Sequence, residues 1–324
     1  MLFTLDDSCQ FVIDSENFTE TVSRLLDAEY RREHVVVINR VILKLLQNKK
    51  DIFSLTQCRA LERISARMTE RRALTKELKI SVRIIQDGST YSLGNGEIAV
   101  PWEYVGIGIT EIVGEDSSDA EIYGNLARTQ IPTGYRSSFR TINGGGTNTP
   151  KVVEAYSRNP VRMPIIAIPD TDRNQTGVTN SVLHQTREAI ATLQSQYYVC
   201  DCTHLQARKI ESIITIPLLK ALEKNKIMSG LKTLIQAIET DFDGWRELDL
   251  KNAHASCRFS VTPCLGDCNC PETVGLGPHF AEHLSTLIMK SGSREISNWF
   301  ETCRDIWLDC VELVASYIIA PARS

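Results

Sequence analysis

Residues 109–123 read Ile-Thr-Glu-Ile-Val-Gly-Glu-Asp-Ser-Ser-Asp-Ala-Glu-Ile-Tyr, and residues 164–173 read Pro-Ile-Ile-Ala-Ile-Pro-Asp-Thr-Asp-Arg. Each begins as an apolar run and ends in carboxylates. Around them the pattern alternates. It predicts a strand over Val105–Val113 containing Gly106 and Gly108, a helix over 118–129, and a short strand over Phe139–Ile142. The loop Gly144-Gly145-Gly146 follows, then a helix over 149–157, a buried strand over Pro164–Ile168, a helix over 178–194 and a strand over Tyr197–Cys200. Strands spaced by helices of about ten residues indicate βαβ units and a mainly parallel sheet. In such sheets the functional loops gather at the C-terminal ends of the strands.

Two acidic groups sit at such ends. Glu115-Asp116-Ser117-Ser118-Asp119 follows the strand ending at Val113, and Asp170-Thr171-Asp172 follows the strand ending at Ile168. In a parallel sheet both loops open on one edge, so their carboxylates converge and repel. A divalent cation relieves that repulsion. Mg²⁺ takes hard oxygen ligands and keeps waters for a substrate phosphate, and one or two such ions support phosphodiester cleavage. Taken singly, each group has a plainer role, because Asp and Ser after a strand cap helices and Asp119 suits a first helical turn.

The order of these motifs resembles the TOPRIM domain. Residues 109–123 are similar to its first motif, in which a strand ends in Glu, Asp follows four residues later, and an apolar-aromatic pair sits on the next helical turn. Phe139-Arg-Thr-Ile-Asn-Gly-Gly-Gly146 resembles the second strand and glycine loop, and Ile166-Ala-Ile-Pro-Asp-Thr-Asp-Arg173 the Asp-x-Asp motif. Arg208-Lys209-Ile210-Glu211 resembles a helix start of the stand-alone TOPRIM nucleases of phage defence, the overcoming-lysogenization-defect (OLD) nucleases and the effector of PARIS-type systems. The likeness spans roughly residues 104–220 and departs from the family at Asp116, where glycine is usual. It implies a TOPRIM-like α/β fold, with Glu115, Asp170 and Asp172 as ligands of Mg²⁺ or Mn²⁺. It also implies Asp119 in or just behind that shell, and Glu211 completing the catalytic set. Arg173 and Lys209 are placed to meet phosphate, although solvation accounts for both.

Outward from this segment, residues 1–103 are expected to form a helical region ending in a hairpin. Val35–Leu46 carries an apolar stripe, and a helix is expected from Ser54 to Leu78. One side of that helix bears Arg59, Arg63, Arg67, Arg71, Arg72 and Lys76, with Glu62, Glu70 and Glu77 interleaved. This reads as a solvated, ion-paired face, with a nucleic-acid or partner surface as the alternative. From Lys79 the period changes: Ile80, Val82 and Ile84 alternate with polar neighbours, as in a half-buried strand, and Tyr91–Leu93, Gly94-Asn95-Gly96 and Ile98–Val100 spell the hairpin. Residues 221–324 read as helical, apart from a cysteine-rich loop. There Cys257, Cys264, Cys268 and Cys270 fall within 14 residues, enough thiolates for a structural Zn²⁺, with His279 and His283 able to replace one. The spacing is not that of a zinc ribbon, so ordinary reduced cysteines are the plainer reading. Cys200, Cys202 and His204 make a weaker set.

The chain of 324 residues is 42% hydrophobic and 23% charged, with net charge −4. Those values fit a packed globular protein and exclude nucleic-acid binding by bulk charge, so any such contact needs local patches or bridging cations. Neither a signal sequence nor a membrane-length apolar run is present, so a cytoplasmic protein without membrane attachment is expected. The sequence lacks a P-loop of the Gly-x4-Gly-Lys-[Ser/Thr] type. The leading expectation is therefore a metal-dependent nuclease, a toxin-like defence effector acting on DNA or RNA and controlled by a partner ATPase of the ABC/OLD kind, with homo-oligomerisation possible. The alternatives are a non-catalytic TOPRIM scaffold subunit bound to such an ATPase, and primase- or topoisomerase-like chemistry at the same metal site. A topoisomerase would want a nucleophilic tyrosine in a large separate domain, and none stands out.

Overall fold

The computed structural model describes residues 1–87, 92–94, 96–159, 162–171, 181–207, 210–232, 235, 236, 239, 276 and 279–322, with only the backbone of 92–94 and 211. The architecture is α/β, with mainly parallel sheets flanked by helices. No helix among the described residues is long and apolar enough to cross a membrane.

The expectation of a helical N-terminal region is corrected. Strands β1 (Leu2–Leu5), β2 (Val35–Ile38), β3 (Ser81–Ile85), β4 (Ser92–Gly94) and β5 (Glu97–Pro101) form one sheet in the order β2-β1-β3-β5-β4. All neighbours are parallel except β4, which closes the expected hairpin with β5. Helix α1 (Glu16–Arg31) connects β1 to β2, and α2 (Arg40–Asn48), α3 (Leu55–Ala66) and α4 (Met68–Glu77) lie between β2 and β3. The apolar run over Val35–Leu46 was misread because it joins two elements. Val35–Ile38 is buried at every position, as a strand covered on both faces is. Asn39 then turns the chain into α2, whose Ile42, Leu43 and Leu46 are buried while Val41 is exposed. The helix expected over 54–78 starts at a Ser54/Gln57 capping box and breaks at Arg67.

Arg71 lies inward, against the reading of a solvated face: it stands two helical turns after the buried Ile64, on the same side. Its side chain is 2% exposed and grips Glu29, itself fully buried, through Nη2–Oε1 at 2.7 Å and Nη1–Oε2 at 2.9 Å. The same carboxylate accepts from Val36 N, and Arg71 Nη1 donates to Val36 O. One ion pair thus ties α1 and α4 to the backbone of β2.

The second sheet contains β6 (Glu111–Gly114), β8 (Arg140–Asn143), β9 (Ile165–Ile168) and β10 (Cys200–Cys202), all parallel, in the order β10-β9-β6-β8. A separate strand, β7 (Tyr135–Ser137), pairs antiparallel with β11 (Ile319–Pro321), so the helical C-terminal region ends in a strand. The strand expected over Val105–Val113 is confined to β6, because Gly106 and Gly108 press against the backbone and Cβ atoms of Arg162 and Met163. The last strand begins at Cys200 rather than Tyr197.

Alternate residues of the buried strands feed two cores. Val113, Ile165 and Ala167 pack with Val153, Ile190 and Leu193 of α6 (Thr149–Ala155) and α7 (Ser181–Gln194). Ile112, Ile166 and Ile168 face the other way, into the main core shared with α5 (Ser117–Ala127), α8 (Ile216–Lys224) and the helices Phe280–Lys290 and Arg304–Ile318. The C-terminal helices therefore supply one wall of the sheet. That main core runs through residues from all three expected segments. The terminal segment is tied in by Thr110 Oγ1 donating to Tyr317 O at 2.6 Å and Lys79 N donating to Ser316 Oγ at 3.0 Å.

His34 lies at the junction. Its Nε2 donates to Gly108 O at 2.7 Å, and Nδ1 faces the Met1 amino group at 3.4 Å, which also donates to Ile319 O. Burial, with the neighbouring amino group second, pushes the imidazole well below its ordinary 6.5. Folded His34 is neutral, so a proton is taken up on unfolding. Stability should be complete above pH 6.5 and fall below it by up to about 1.4 kcal/mol per pH unit. Urea titrations of the His34→Gln variant should lack that part of the slope. At pH 7, Arg71→Met should cost about 3–5 kcal/mol by stranding a buried carboxylate, and Glu29→Leu/Arg71→Met should recover much of it.

Candidate functional site

The order β10-β9-β6-β8 reverses direction at β6. The chain leaves β6 for β8 on one side and later returns to β9 on the other. Open parallel sheets place their ligand crevice at such a point, outside the carboxyl ends of the strands. Gly114 is in register with Ile168 on one side and Asn143 on the other. Glu115 and Pro169-Asp170 therefore leave neighbouring strands about 5 Å apart. Glu115 and Asp170 line one cleft of about 300 Å³, together with Gly146, Thr147, Thr149 and Val182.

The local sequence explains why the cleft exists. A Cβ on Gly114 would lie 2.7 Å from Ala120 N and 2.8 Å from Asp116 O, so only glycine lets α5 start directly beneath the strand end. Asp116 caps that helix, accepting from Ser118 N at 2.7 Å and Asp119 N at 3.0 Å through one oxygen. This gives the residue that departs from the TOPRIM pattern a structural task. The glycine loop is zipped to the end of β6: Gly144 N donates to Gly114 O at 2.9 Å, and Gly146 N to Glu115 O at 3.2 Å. Gly145 and Gly146 adopt φ of +70° and +60°, the left-handed region that glycine enters freely. A Cβ on Gly146 would lie 3.6 Å from Glu115 Oε1, so this loop forms the wall beside that carboxylate. Asn143 Oδ1 accepts from Gly145 N, and Thr149 Oγ1 donates to Gly146 O. Across the cleft, Thr171 Oγ1 donates to Ala207 O at 2.8 Å and anchors the Asp170 loop.

The expected residues are only partly brought together. Glu115 and Asp170 meet in the cleft. Asp119 stands in the first turn of α5, 4% exposed, and is not part of the cleft lining. It lies one helical turn behind the strand end, where an acid also suits the helix dipole. Asp172, Arg173 and Lys209 lie outside the described residues, as does the side chain of Glu211. Sequence reading missed Asn143, Thr147 and Thr149. Their signal was only that of polar residues flanking three glycines, which any turn also shows.

The donor set fits a hard cation. The described lining of the cleft offers two carboxylates and threonine hydroxyls and, among the described residues, no thiol or imidazole, which suits Mg²⁺ or Mn²⁺ rather than zinc. Among the described residues, no three His, Cys, Asp or Glu side chains assemble into a metal-holding group. The described part therefore supplies two carboxylates.

The other metal candidates fare differently. Cys257, Cys264, Cys268 and Cys270 lie outside the described residues. His279 is exposed, with Nδ1 3.4 Å from Glu282. Cys200 is buried and bonds to backbone carbonyls, while burial pushes the Cys202 thiol up to about 12, and His204 accepts from Arg187. Cys200, Cys202 and His204 thus show no thiolate site.

Gly144→Ala tests the construction of the cleft. A Cβ there would lie 2.4 Å from Thr149 Oγ1 and 2.5 Å from Gly114 O. Thermal unfolding should show a loss of about 2 kcal/mol, against about 1 kcal/mol for Gly145→Ala, which meets only its unfavourable φ. Compared with known proteins, the chain matches no family model, no curated protein and no solved structure.

Proposed function

We propose that the chain is a metal-dependent nuclease that hydrolyses phosphodiester bonds in nucleic acid, with Glu115, Asp170 and Asp172 holding Mg²⁺ or Mn²⁺. The observation that carries this reading is the meeting of Glu115 and Asp170 in one cleft at the reversal of strand order. Two carboxylates on neighbouring strand ends repel one another, and a cation between them removes the cost. When bound, such an ion polarises a phosphoryl oxygen and lowers the pKa of a coordinated water. Glu115, beside the glycine loop, would serve either as a ligand of the ion or as the general base that takes a proton from the attacking water. The loop has no side chains over its three glycines, which leaves room for a phosphate to approach the carboxylates. Asp119 would support the start of α5 behind Glu115, and Glu211 would complete the set.

The wider role rests on the TOPRIM likeness of residues 104–220. We propose a toxin-like effector of antiviral defence, restrained and triggered by a partner ATPase, since the sequence offers no P-loop of its own.

Purified chain incubated with labelled DNA and RNA in Mg²⁺ or Mn²⁺ should cleave, and EDTA should stop it. Glu115→Gln and Asp170→Asn should each lower the rate by at least about 100-fold while leaving the thermal midpoint equal or higher without metal. Calorimetry should show metal binding tightened by a non-cleavable oligonucleotide, whose phosphate oxygens complete the coordination. Full activity in EDTA, or in either variant, would sink the assignment.

A further inference from the structure

The acidic cleft poses an electrostatic problem for a polyanionic substrate, and a second feature answers it. A groove of about 620 Å³ runs between α2 and the junction of α3 with α4. Arg40, Lys44 and Gln47 line it from α2, and Ser65, Met68 and Thr69 from the opposite side, with no acidic side chain among the lining residues. Its floor is apolar, formed by buried Leu43 and half-buried Met68, while Arg40, Lys44, Ser65 and Thr69 are exposed.

Arg40 and Lys44 stand one helical turn apart, a spacing at which like charges repel. Neither has an ion-pair partner among the described residues. Nearby cations do: Lys49 pairs with Asp14, Lys50 with Glu62 and Arg67 with Glu70. Arg72 lies one turn beyond Met68 and Thr69 on α4. It reaches Asn39 Oδ1 at 3.4 Å, beside Arg40, and has no carboxylate partner among the described residues. Three cations without a carboxylate partner among the described residues therefore border one groove on a chain of net charge −4. Arg40 follows β2 after Asn39, beyond the carboxyl end of that edge strand.

The charges are strung along an open groove rather than converging on a point, and no glycine turn among the lining residues offers backbone N–H groups to a single phosphate. That layout suits a line of phosphates. We infer that this groove tracks the phosphodiester backbone of a nucleic-acid strand, with Arg40, Lys44 and Arg72 neutralising successive phosphates and Gln47, Ser65 and Thr69 within reach to hydrogen-bond them. The inference rests on the nucleolytic reading and supplies the local attraction that the acidic cleft lacks.

The test is fluorescence anisotropy of the full chain with a labelled single-stranded oligonucleotide, in EDTA, over a series of salt concentrations. Arg40→Glu/Lys44→Glu should weaken binding at least about tenfold. It should also flatten the slope of log affinity against log salt by about 1.4, since each phosphate contact on a single strand contributes about 0.7. Arg40→Lys should retain the slope. If the charge reversal fails to fold, Arg40→Gln/Lys44→Gln replaces it with the same expected direction. Unchanged affinity and slope overturn the inference. So does micromolar binding of inorganic pyrophosphate that the reversal abolishes while oligonucleotide affinity stays constant, because the groove is then a small-phosphate site. Cleavage in Mg²⁺ by wild type and Glu115→Gln is read alongside. Groove-dependent binding without cleavage by any form rejects the nuclease reading alone, and metal-dependent cleavage with groove-independent binding rejects this inference alone.

Discussion

Strand β6 has no free edge and no free face. Its backbone is paired with β8 and β9, Val113 lies beneath α6 and α7, and Ile112 faces α5 and the C-terminal helices. A strand so enclosed can carry polar groups only where it ends, because a carboxylate within it would lose its hydration. The exception shows the rule: Glu111, at the opposite end of β6, is buried but accepts from Tyr156 Oη, and Tyr156 in turn is held protonated chiefly by burial. At the carboxyl end the chain leaves the core at Gly114, and Glu115 is the first side chain past it. At the end of β9, Pro169 comes first and Asp170 follows it. The meeting of the two carboxylates follows from the parallel pairing of two fully buried strands.

The rest of the molecule keeps that arrangement enclosed. The helix Arg304–Ile318 packs on α5, and the segment after it pairs with β7 and receives the Met1 amino group. The two ends of the described chain therefore meet, and the largest apolar core draws residues from Met1 to Ile318. In the N-terminal sheet, the Glu29–Arg71 pair does for α1, α4 and β2 what apolar packing does elsewhere. A buried ion pair of this kind adds little net stability over apolar residues of equal volume. It does fix orientation, because its four short hydrogen bonds admit only one placement of α4 against β2.

Charge is distributed against the grain of the composition. A net charge of −4 conceals an acidic cleft at the second sheet and, beside the first, a groove whose cations have no carboxylate partner among the described residues. Opposite fields on separate sheets let a polyanion be attracted at one place and meet carboxylates at another, which a uniformly acidic surface would prevent.

The sequence by itself determined the βαβ order of residues 104–215, the strand ends that bear Glu115 and Asp170, and the glycine loop between them. These were legible because buried parallel strands are short uninterrupted apolar runs, and polar residues collect where such runs stop. In the N-terminal sheet the β4–β5 hairpin was legible, but β1 and β2 were not. Leu2–Leu5 and Val35–Ile38 are four residues each, too short for any period to show, and the second runs straight into the apolar face of α2. The fate of the arginines on α3 and α4 was equally hidden. Arg71 and Arg72 are adjacent in one basic row, yet one is buried against Glu29, 42 residues away, and the other faces solvent beside Asn39. Arg71 stands two turns after the buried Ile64, and Glu29 of α1 gives it a partner there. Tertiary structure likewise buries Asp119 in the first turn of α5, the helix that Asp116 caps, outside the cleft lining among the described residues. Periodicity reports which residues a chain must bury. Which partner a charged side chain finds depends on contacts distant in sequence, and those exist only once the sheets are assembled.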